Sequence, residues 1–274
     1  MSEAAAFEWP AFETITTRLN GGVLHLTLNR PEVRNAMSLR MVVELQQALA
    51  AAEASGIVRV VVLRGAGGHF CAGGDIKDMA AARMAPAEAG IDVIADLSAK
   101  FGELCAAYAR TPLALVAALE GTVMGGGFGL ACVADVALAG ESVTFRLPEV
   151  TLGVVPAQIA PYLVERVGMS QARRLAVSGA RIGAKEALAI GLVHEVHAEA
   201  QLDSALGIVV NAILQCAPDA VAQTKRLVEM ARFSSPVHLV SEAAAIFSRA
   251  VQGPEGIEGT SAFLQKRKPA WATA

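Results

Sequence analysis

Two glycine-bearing stretches, residues 69–79 and 121–130, each follow an apolar run typical of a buried strand and precede a segment that can be helical. Strands joined to helices through short glycine turns predict an α/β fold. A glycine at such a junction leaves its backbone N–H unshielded, and the start of a helix attracts negative charge. If the two junctions face one another, they offer two N–H donors to one developing oxyanion.

Hydrophobic periodicity predicts the elements that flank both junctions. The predicted strands cover residues 23–28, 57–63, 113–119 and 133–139. The predicted helices cover residues 39–54, which Ser38 caps, and residues 91–109. Residues 79–90 have poor periodicity and contain Pro86, which indicates a mobile lid or a short irregular helix.

The chain changes character at about residue 199. Four amphipathic patterns follow one another without a strand between them, at residues 202–214, 221–232, 236–251 and 255–268. We therefore predict a core domain over residues 1–198 and a helical C-terminal region over residues 199–274. Because these helices have no sheet of their own to cover, they must pack on the core or on a neighbouring subunit.

Composition and charge exclude several classes of protein. With 54% hydrophobic and 18% charged residues among 274, the chain is not disordered. A net charge of −3 lacks the basic footprint that nucleic-acid binding needs. The first ten residues lack the basic and apolar segments of a signal peptide, and no apolar run has the length of a membrane span. We expect a soluble, cytoplasmic protein.

The cysteines and histidines do not indicate a metal or redox site. Cys71, Cys105, Cys132 and Cys216 form no CxxC pair, and no two histidines have a zinc-like spacing. Cys71 lies in the first glycine stretch beside His69, but no third group is visible that would orient the imidazole for nucleophilic catalysis. We expect the other three cysteines to be small core residues, and no bound metal.

Glu149 follows the second glycine stretch by about twenty residues and is the candidate acid/base. Its neighbours Leu147 and Val150 are apolar, and a carboxyl buried among them has a raised pKa, which suits proton transfer. A glutamate on a surface loop explains the same residues equally well. The dinucleotide fingerprint fails at Phe70, and neither a phosphate-binding loop nor a nucleophile elbow occurs.

Several ordered motifs resemble the enoyl-CoA hydratase/isomerase (crotonase) superfamily. They cover the chain almost from end to end, so together they are more specific than any single motif. The matching segments are residues 28–36, 70–76, 121–127, 148–153, 184–193 and 261–267. The resemblance implies a ClpP/crotonase-like spiral of ββα units with a C-terminal helical trimerisation region, assembled as a homotrimer or a dimer of trimers.

The resemblance also implies an acyl-CoA thioester as substrate, whose carbonyl oxygen lies between the N–H groups of Gly74 and Gly126. Coenzyme A is then part of the substrate, and no separate cofactor is expected. The implied contacts to coenzyme A and the acyl chain are Arg30, Ala72, Asp75, Ile76 and Lys77, together with Phe263 and Lys266, which reach a neighbour's coenzyme A.

One departure from the family pattern affects the expected reaction. Hydratases of the family use two glutamates; Glu149 matches the second, and Gly129 stands at the position of the first. The segments around Gly129 and Gln158 are similar to isohexenylglutaconyl-CoA hydratases. We expect Gly129 to leave room for a branched acyl chain and for water, and Gln158 to line that pocket.

Three functions follow as expectations from this pattern. The first is hydration of a branched glutaconyl-CoA-type substrate, isohexenylglutaconyl or methylglutaconyl, with Glu149 as acid/base. The second is Δ3-Δ2 enoyl-CoA isomerisation, in which the single glutamate moves one proton between carbons. The third is acyl-CoA binding, or even RNA binding, without turnover; the acidic charge balance disfavours RNA.

Overall fold

The computed structural model describes residues 9–84 and 92–272 and has two sheets. The strands are β1 Ile15–Asn20, β2 Val23–Leu28, β3 Val60–Gly65, β4 Ala114–Leu119, β5 Thr122–Met124, β6 Val136–Gly140, β7 Thr144–Arg146, β8 Arg181–Gly183 and β9 Glu195–His197. The larger sheet has the order β1-β2-β3-β4-β6-β9, and the smaller has the order β5-β7-β8. In the larger sheet only β1 is antiparallel to its neighbour.

Helices occupy most of the remaining chain. They are α1 Leu39–Ser55, α2 Ile76–Met84, α3 Val93–Arg110, α4 Gly126–Val133, α5 Ala160–Ser178, α6 Ala184–Ala189, α7 Glu199–Leu214, α8 Pro218–Met230, α9 Pro236–Gln252 and α10 Pro254–Leu264. The predicted α/β fold with a helical C-terminal region is therefore confirmed.

From β4 to β7, successive strands alternate between the two sheets, and a helix follows each pair. Thus β4 in the large sheet is followed by β5 in the small sheet and then by α4, and β6 is followed by β7 and later by α5. The segment after β3 repeats this order, because Cys71 bridges Val123 of the small sheet before α2 begins. Each turn of the chain therefore brings a strand-to-helix junction to the same side of the large sheet.

Local signals set several element boundaries. The Ser38 hydroxyl accepts a hydrogen bond from the Met41 amide at 3.2 Å, so the predicted N-cap of α1 is confirmed. Gly56 ends α1 in the left-handed conformation, with φ 64°. Strand β3 begins at Val60 rather than at the predicted Ile57. The segment predicted as a lid forms α2 up to Met84, and the rest of that prediction lies outside the described residues.

The large sheet is covered on both faces. One face packs against α1, α3, α4 and α5 in the main hydrophobic core. The other face packs against α7, whose Leu202, Leu206 and Val210 lie over Val62 and Val116. Helix α7 thus completes the core although it begins in the predicted C-terminal region; the division at residue 198 stays a prediction.

Within residues 9–84 and 92–272, no helix is long and apolar enough to cross a membrane by itself. The bent pair of α7 and α8, taken together, has the length and composition of a membrane span, and only these two properties indicate one.

Candidate active site

The two glycine junctions are held side by side by backbone pairing. Gly74 forms a parallel bridge with Met37, and Cys71 forms another with Val123 at the start of the second junction. The first junction is thereby tied on one side to the segment before α1 and on the other to β5. The junctions that the sequence places about fifty residues apart are neighbours in the structure.

The amides of Gly74 and Gly126 are both available as donors. The Met37 amide donates to the Gly73 carbonyl at 2.7 Å, and the Asp75 amide donates to the Met37 carbonyl at 2.9 Å. Because both bonds are made by the neighbours of Gly74, its own amide faces away from this pairing. Gly126 is the first residue of α4, so its N–H has no acceptor within the helix. Among the described residues, neither amide donates a hydrogen bond.

Gly125 marks the point where the two junctions and the candidate acid/base meet. A Cβ added to Gly125 would lie 3.1 Å from the Gly73 Cα, 3.2 Å from Oε1 of Glu149 and 3.6 Å from the Gly74 nitrogen. Gly126 follows Gly125 directly in the chain. The carboxyl group and the two predicted donors therefore surround one small volume.

Glu149 begins a 3-10 helix, Glu149–Leu152, directly after β7 and Pro148. Its side chain is partly buried, and Oε2 has no hydrogen-bond partner among the residues the structure describes. Burial raises the pKa of Glu149 above its usual value, and a hydrogen bond from its own backbone N–H offsets part of that rise. A carboxyl with a raised pKa and a free oxygen is suited to take up and return a proton.

The expected room at Gly129 does not exist. A Cβ at Gly129 would lie 3.1 Å from Cζ of Phe101 and 3.3 Å from Cγ1 of Ile159. Side chains from α3 and from the start of α5 fill the space that the sequence interpretation assigned to water and a branched chain. The predicted room directly beside Gly129 is therefore wrong, because the sequence does not show the ring that packs against this position. Where a branched acyl chain would lie stays a prediction.

Gln158 contacts α3 in this structure. Its Nε2 donates to the Ser98 hydroxyl at 3.3 Å, and its Oε1 occupies the space where a Cβ on Gly102 would lie. Its role as an acyl-pocket residue stays a prediction. Sequence reasoning missed the contribution of α3 to the site, although a glycine in the middle of a long helix pattern is a signal of close packing.

The residues expected to hold coenzyme A near the first junction lie together. Nη1 of Arg30 donates to Oδ2 of Asp75 at 2.9 Å and to the Ala36 carbonyl at 2.7 Å. Oδ1 of Asp75 accepts from the Lys77 amide at 3.0 Å. Burial would raise the pKa of Asp75, but these hydrogen bonds and the neighbouring positive charges lower it overall. Ile76 is exposed at the start of α2.

The remaining predicted residues lie in two different places. Ala72 lies within the first junction, where its amide donates to the Arg34 carbonyl at 2.9 Å. Phe263 and Lys266 are exposed at the end of α10. Their expected contact with a neighbouring subunit's coenzyme A stays a prediction.

Cys71 is not arranged as a nucleophile. Its side chain is buried, and burial raises the pKa of the thiol to about 11. The neighbouring His69 uses Nδ1 to accept from the Thr122 amide at 3.1 Å. Cys216, expected in the core with Cys105 and Cys132, is exposed at the end of α7, so that prediction is wrong.

A separate groove lies on the opposite side of the large sheet. It has a volume of about 750 Å³ and is lined by β1, β2, β3 and α7, including His25, Arg64 and Asp203. None of the residues predicted for the active site lines it.

Comparison with known proteins identifies the family of the chain. The family model for enoyl-CoA hydratase/isomerase matches residues 18–274. The 2,3-dehydroadipyl-CoA hydratase of Escherichia coli is 34% identical over 255 residues, which cover 90% of this chain and 94% of the relative.

Two solved structures are more similar still. An enoyl-CoA hydratase/isomerase from Marinobacter aquaeolei is 50% identical, with a TM-score of 0.92 over 95% of this chain and 99% of its own. AtuE of Pseudomonas aeruginosa is 51% identical, with a TM-score of 0.91 over 95% of this chain and 100% of its own. The protein thus belongs to the enoyl-CoA hydratase/isomerase family and has the crotonase fold.

Proposed function

We propose that the protein hydrates a branched, glutaconyl-type enoyl-CoA, with the thioester oxygen bound by the amides of Gly74 and Gly126. The observation that carries this proposal is the meeting of the Glu149 carboxyl, the Gly74 amide and the start of α4 around Gly125. A single oxyanion donor is typically worth about 2.7–4 kcal/mol of transition-state stabilisation. Two donors beside one carboxyl group are sufficient for chemistry through a thioester enolate.

The proposed reaction needs one protein carboxyl group. Ionised Glu149 takes a proton from water while the water oxygen bonds to the β-carbon, and the electron pair of the double bond moves to the thioester oxygen as an enolate. The protonated Glu149 then returns its proton to the α-carbon and the carbonyl re-forms, so that one water molecule is added overall. A carboxylate at the far end of the substrate would help to hold the water.

Two observations support a substrate with its own carboxylate. The position of the family's first glutamate, Gly129, packs against the apolar Phe101 and Ile159, so it presents no second protein carboxylate. The E. coli relative is named for 2,3-dehydroadipyl-CoA, the thioester of an unsaturated dicarboxylic acid.

The same apolar wall favours a second candidate, Δ3-Δ2 isomerisation, because a proton shuttle by Glu149 needs no water at all. A panel of enoyl-CoA thioesters in heavy-oxygen water separates the two. We expect oxygen-labelled hydroxyl in the product, with kcat/KM about tenfold or more higher for a branched substrate with a distal carboxylate than for its uncharged analogue. Products without added oxygen would support the isomerase instead, and equal kcat/KM values would contradict a carboxylated substrate.

We further propose that the chains associate through the C-terminal helices into a trimer or a dimer of trimers. Helices α8 to α10 and the turns beside them expose large apolar side chains, which a monomer rarely leaves in contact with water: Val228, Phe233, Val237, Val240, Phe247, Val251, Ile257, Phe263 and Leu264. Sedimentation equilibrium is expected to give three or six chain masses. A monomer at micromolar concentration would contradict this assembly.

A further inference from the structure

Phe101 covers the side of α4 next to the Gly126 amide. A Cβ on Gly126 would lie 3.3 Å from Cε2 of the Phe101 ring, and a Cβ on Gly129 would lie 3.1 Å from Cζ. Positions 126 and 129 are three residues apart and therefore share one face of the helix. The edge of the Phe101 ring thus occupies the space that side chains at positions 126 and 129 would need.

The ring is held in place by the packing of its own helix. Phe101 and Gly102 lie three and four residues after Ser98 on α3, so both share a face of the helix with Ser98. Ser98 bonds to Gln158, and the absence of a side chain on Gly102 lets the Gln158 amide lie against the helix. Phe101 is itself packed against the main core, so the ring has little freedom to turn away.

We propose that Phe101 is a specificity-determining residue, whose ring excludes a second carboxylate and its bound water from the site. This inference rests on the proposed function. A short unbranched substrate such as crotonyl-CoA brings no carboxylate of its own, so it finds no group opposite Glu149 to hold water. A substrate with a distal carboxylate supplies that group, and the apolar ring then contacts only its acyl chain.

Four proteins test the proposal: the wild type, Phe101→Ala, Gly129→Glu and the double variant. The double variant is expected to hydrate crotonyl-CoA about tenfold or more faster than either single variant, a small part of the roughly 10²–10⁴-fold that a positioned acid/base supplies. Gly129→Glu alone must push its side chain against the ring, and Phe101→Ala alone adds space but no carboxylate. Equal crotonyl-CoA activity in Gly129→Glu and the double variant would overturn the proposal.

A double-mutant cycle with smaller side chains tests the same contact if the glutamate variants do not fold. Gly129→Ala adds one methyl group 3.1 Å from the ring, so it is expected to lower Tm, and Phe101→Leu is expected to remove most of that loss in the double variant. Additive Tm changes would show that the ring does not exclude the side chain, which contradicts the proposal.

The proposed function is checked separately with the wild type alone. In deuterium oxide, it should place deuterium at the α-carbon of a turned-over thioester. Its absence would refute hydration with protonation at the α-carbon, whereas the comparisons at position 129 concern Phe101 only.

Discussion

Glu149→Gln is expected to lower kcat by about 10²-fold or more and to leave the affinity for acyl-CoA nearly unchanged. The amide keeps the shape of the side chain but can neither accept the proton of water nor deliver one to the α-carbon. The oxyanion donors are backbone groups and are not altered. Steady-state kinetics on the best thioester of the panel, with calorimetric titration of a saturated acyl-CoA, measures both quantities.

The same variant is expected to be more stable than the wild type at neutral pH. Burial raises the folded-state pKa of Glu149 above 4.5, so the folded protein binds this proton more tightly than the unfolded chain does. The stability that this proton binding contributes is present below pH 4.5 and is lost as the pH rises through the folded-state pKa. The Tm gain of Glu149→Gln should therefore be largest above that pKa and disappear in acid.

Glu103→Gln is the matched control for both effects, because Glu103 is exposed on α3. Because its carboxylate is in contact with water, the change should leave both kcat and the Tm at neutral pH nearly unchanged. If Glu149→Gln kept the kcat of this control, proton transfer would have to be assigned to another group. If its Tm gain were the same at all pH values, ionisation of Glu149 would not be the cause.

Gly125→Ala is expected to lower kcat by about 10²–10³-fold, the range seen when one oxyanion donor is lost. Gly125 has φ 48° and ψ −121°, which a residue with a side chain adopts only under strain. Its new methyl group would press on the Gly73 Cα and on Oε1 of Glu149. The two donors would separate, and the carboxyl would be displaced. Kinetics on the same thioester measures the loss.

Gly21→Ala separates backbone strain from active-site damage. Gly21 also has a positive φ, 54°, but a Cβ there would meet nothing within 4 Å. Both variants should lose about 1–3 kcal/mol of stability from strain. Only Gly125→Ala should also lose catalytic activity. Comparable kcat values in the two variants would mean that the approach of Gly73 to Gly125 has no catalytic role.

Patterns that are local in sequence predicted their elements well. The alternating residues of β2, the Ser38 cap of α1 and the amphipathic stripe of α3 each depend on neighbours within a few turns. Strand β1 was missed because Ile15–Asn20 is mostly polar and only Ile15 is fully buried. Its place at the sheet edge depends on antiparallel pairing with β2, which no local pattern reveals.

In the candidate site too, features with a local sequence signal could be predicted, and features that depend on tertiary packing could not. The glycine junctions and Glu149 could be identified because each carries its own local signal, and the order of strands and helices places them on one side of the sheet. What occupies the space beside them could not be predicted. Gly129 indicates only that a side chain is missing; that Phe101 fills the gap from a helix twenty-eight positions earlier depends on tertiary packing.

The central claim is that the amides of Gly74 and Gly126 together polarise one thioester carbonyl. Infrared difference spectroscopy of a saturated acyl-CoA, labelled with carbon-13 at the carbonyl, measures that polarisation directly. We expect a lower carbonyl stretching frequency on the wild type and on Glu149→Gln than in solution, and a return towards the solution value on Gly125→Ala. The same frequency for the free and the wild-type-bound thioester would contradict it.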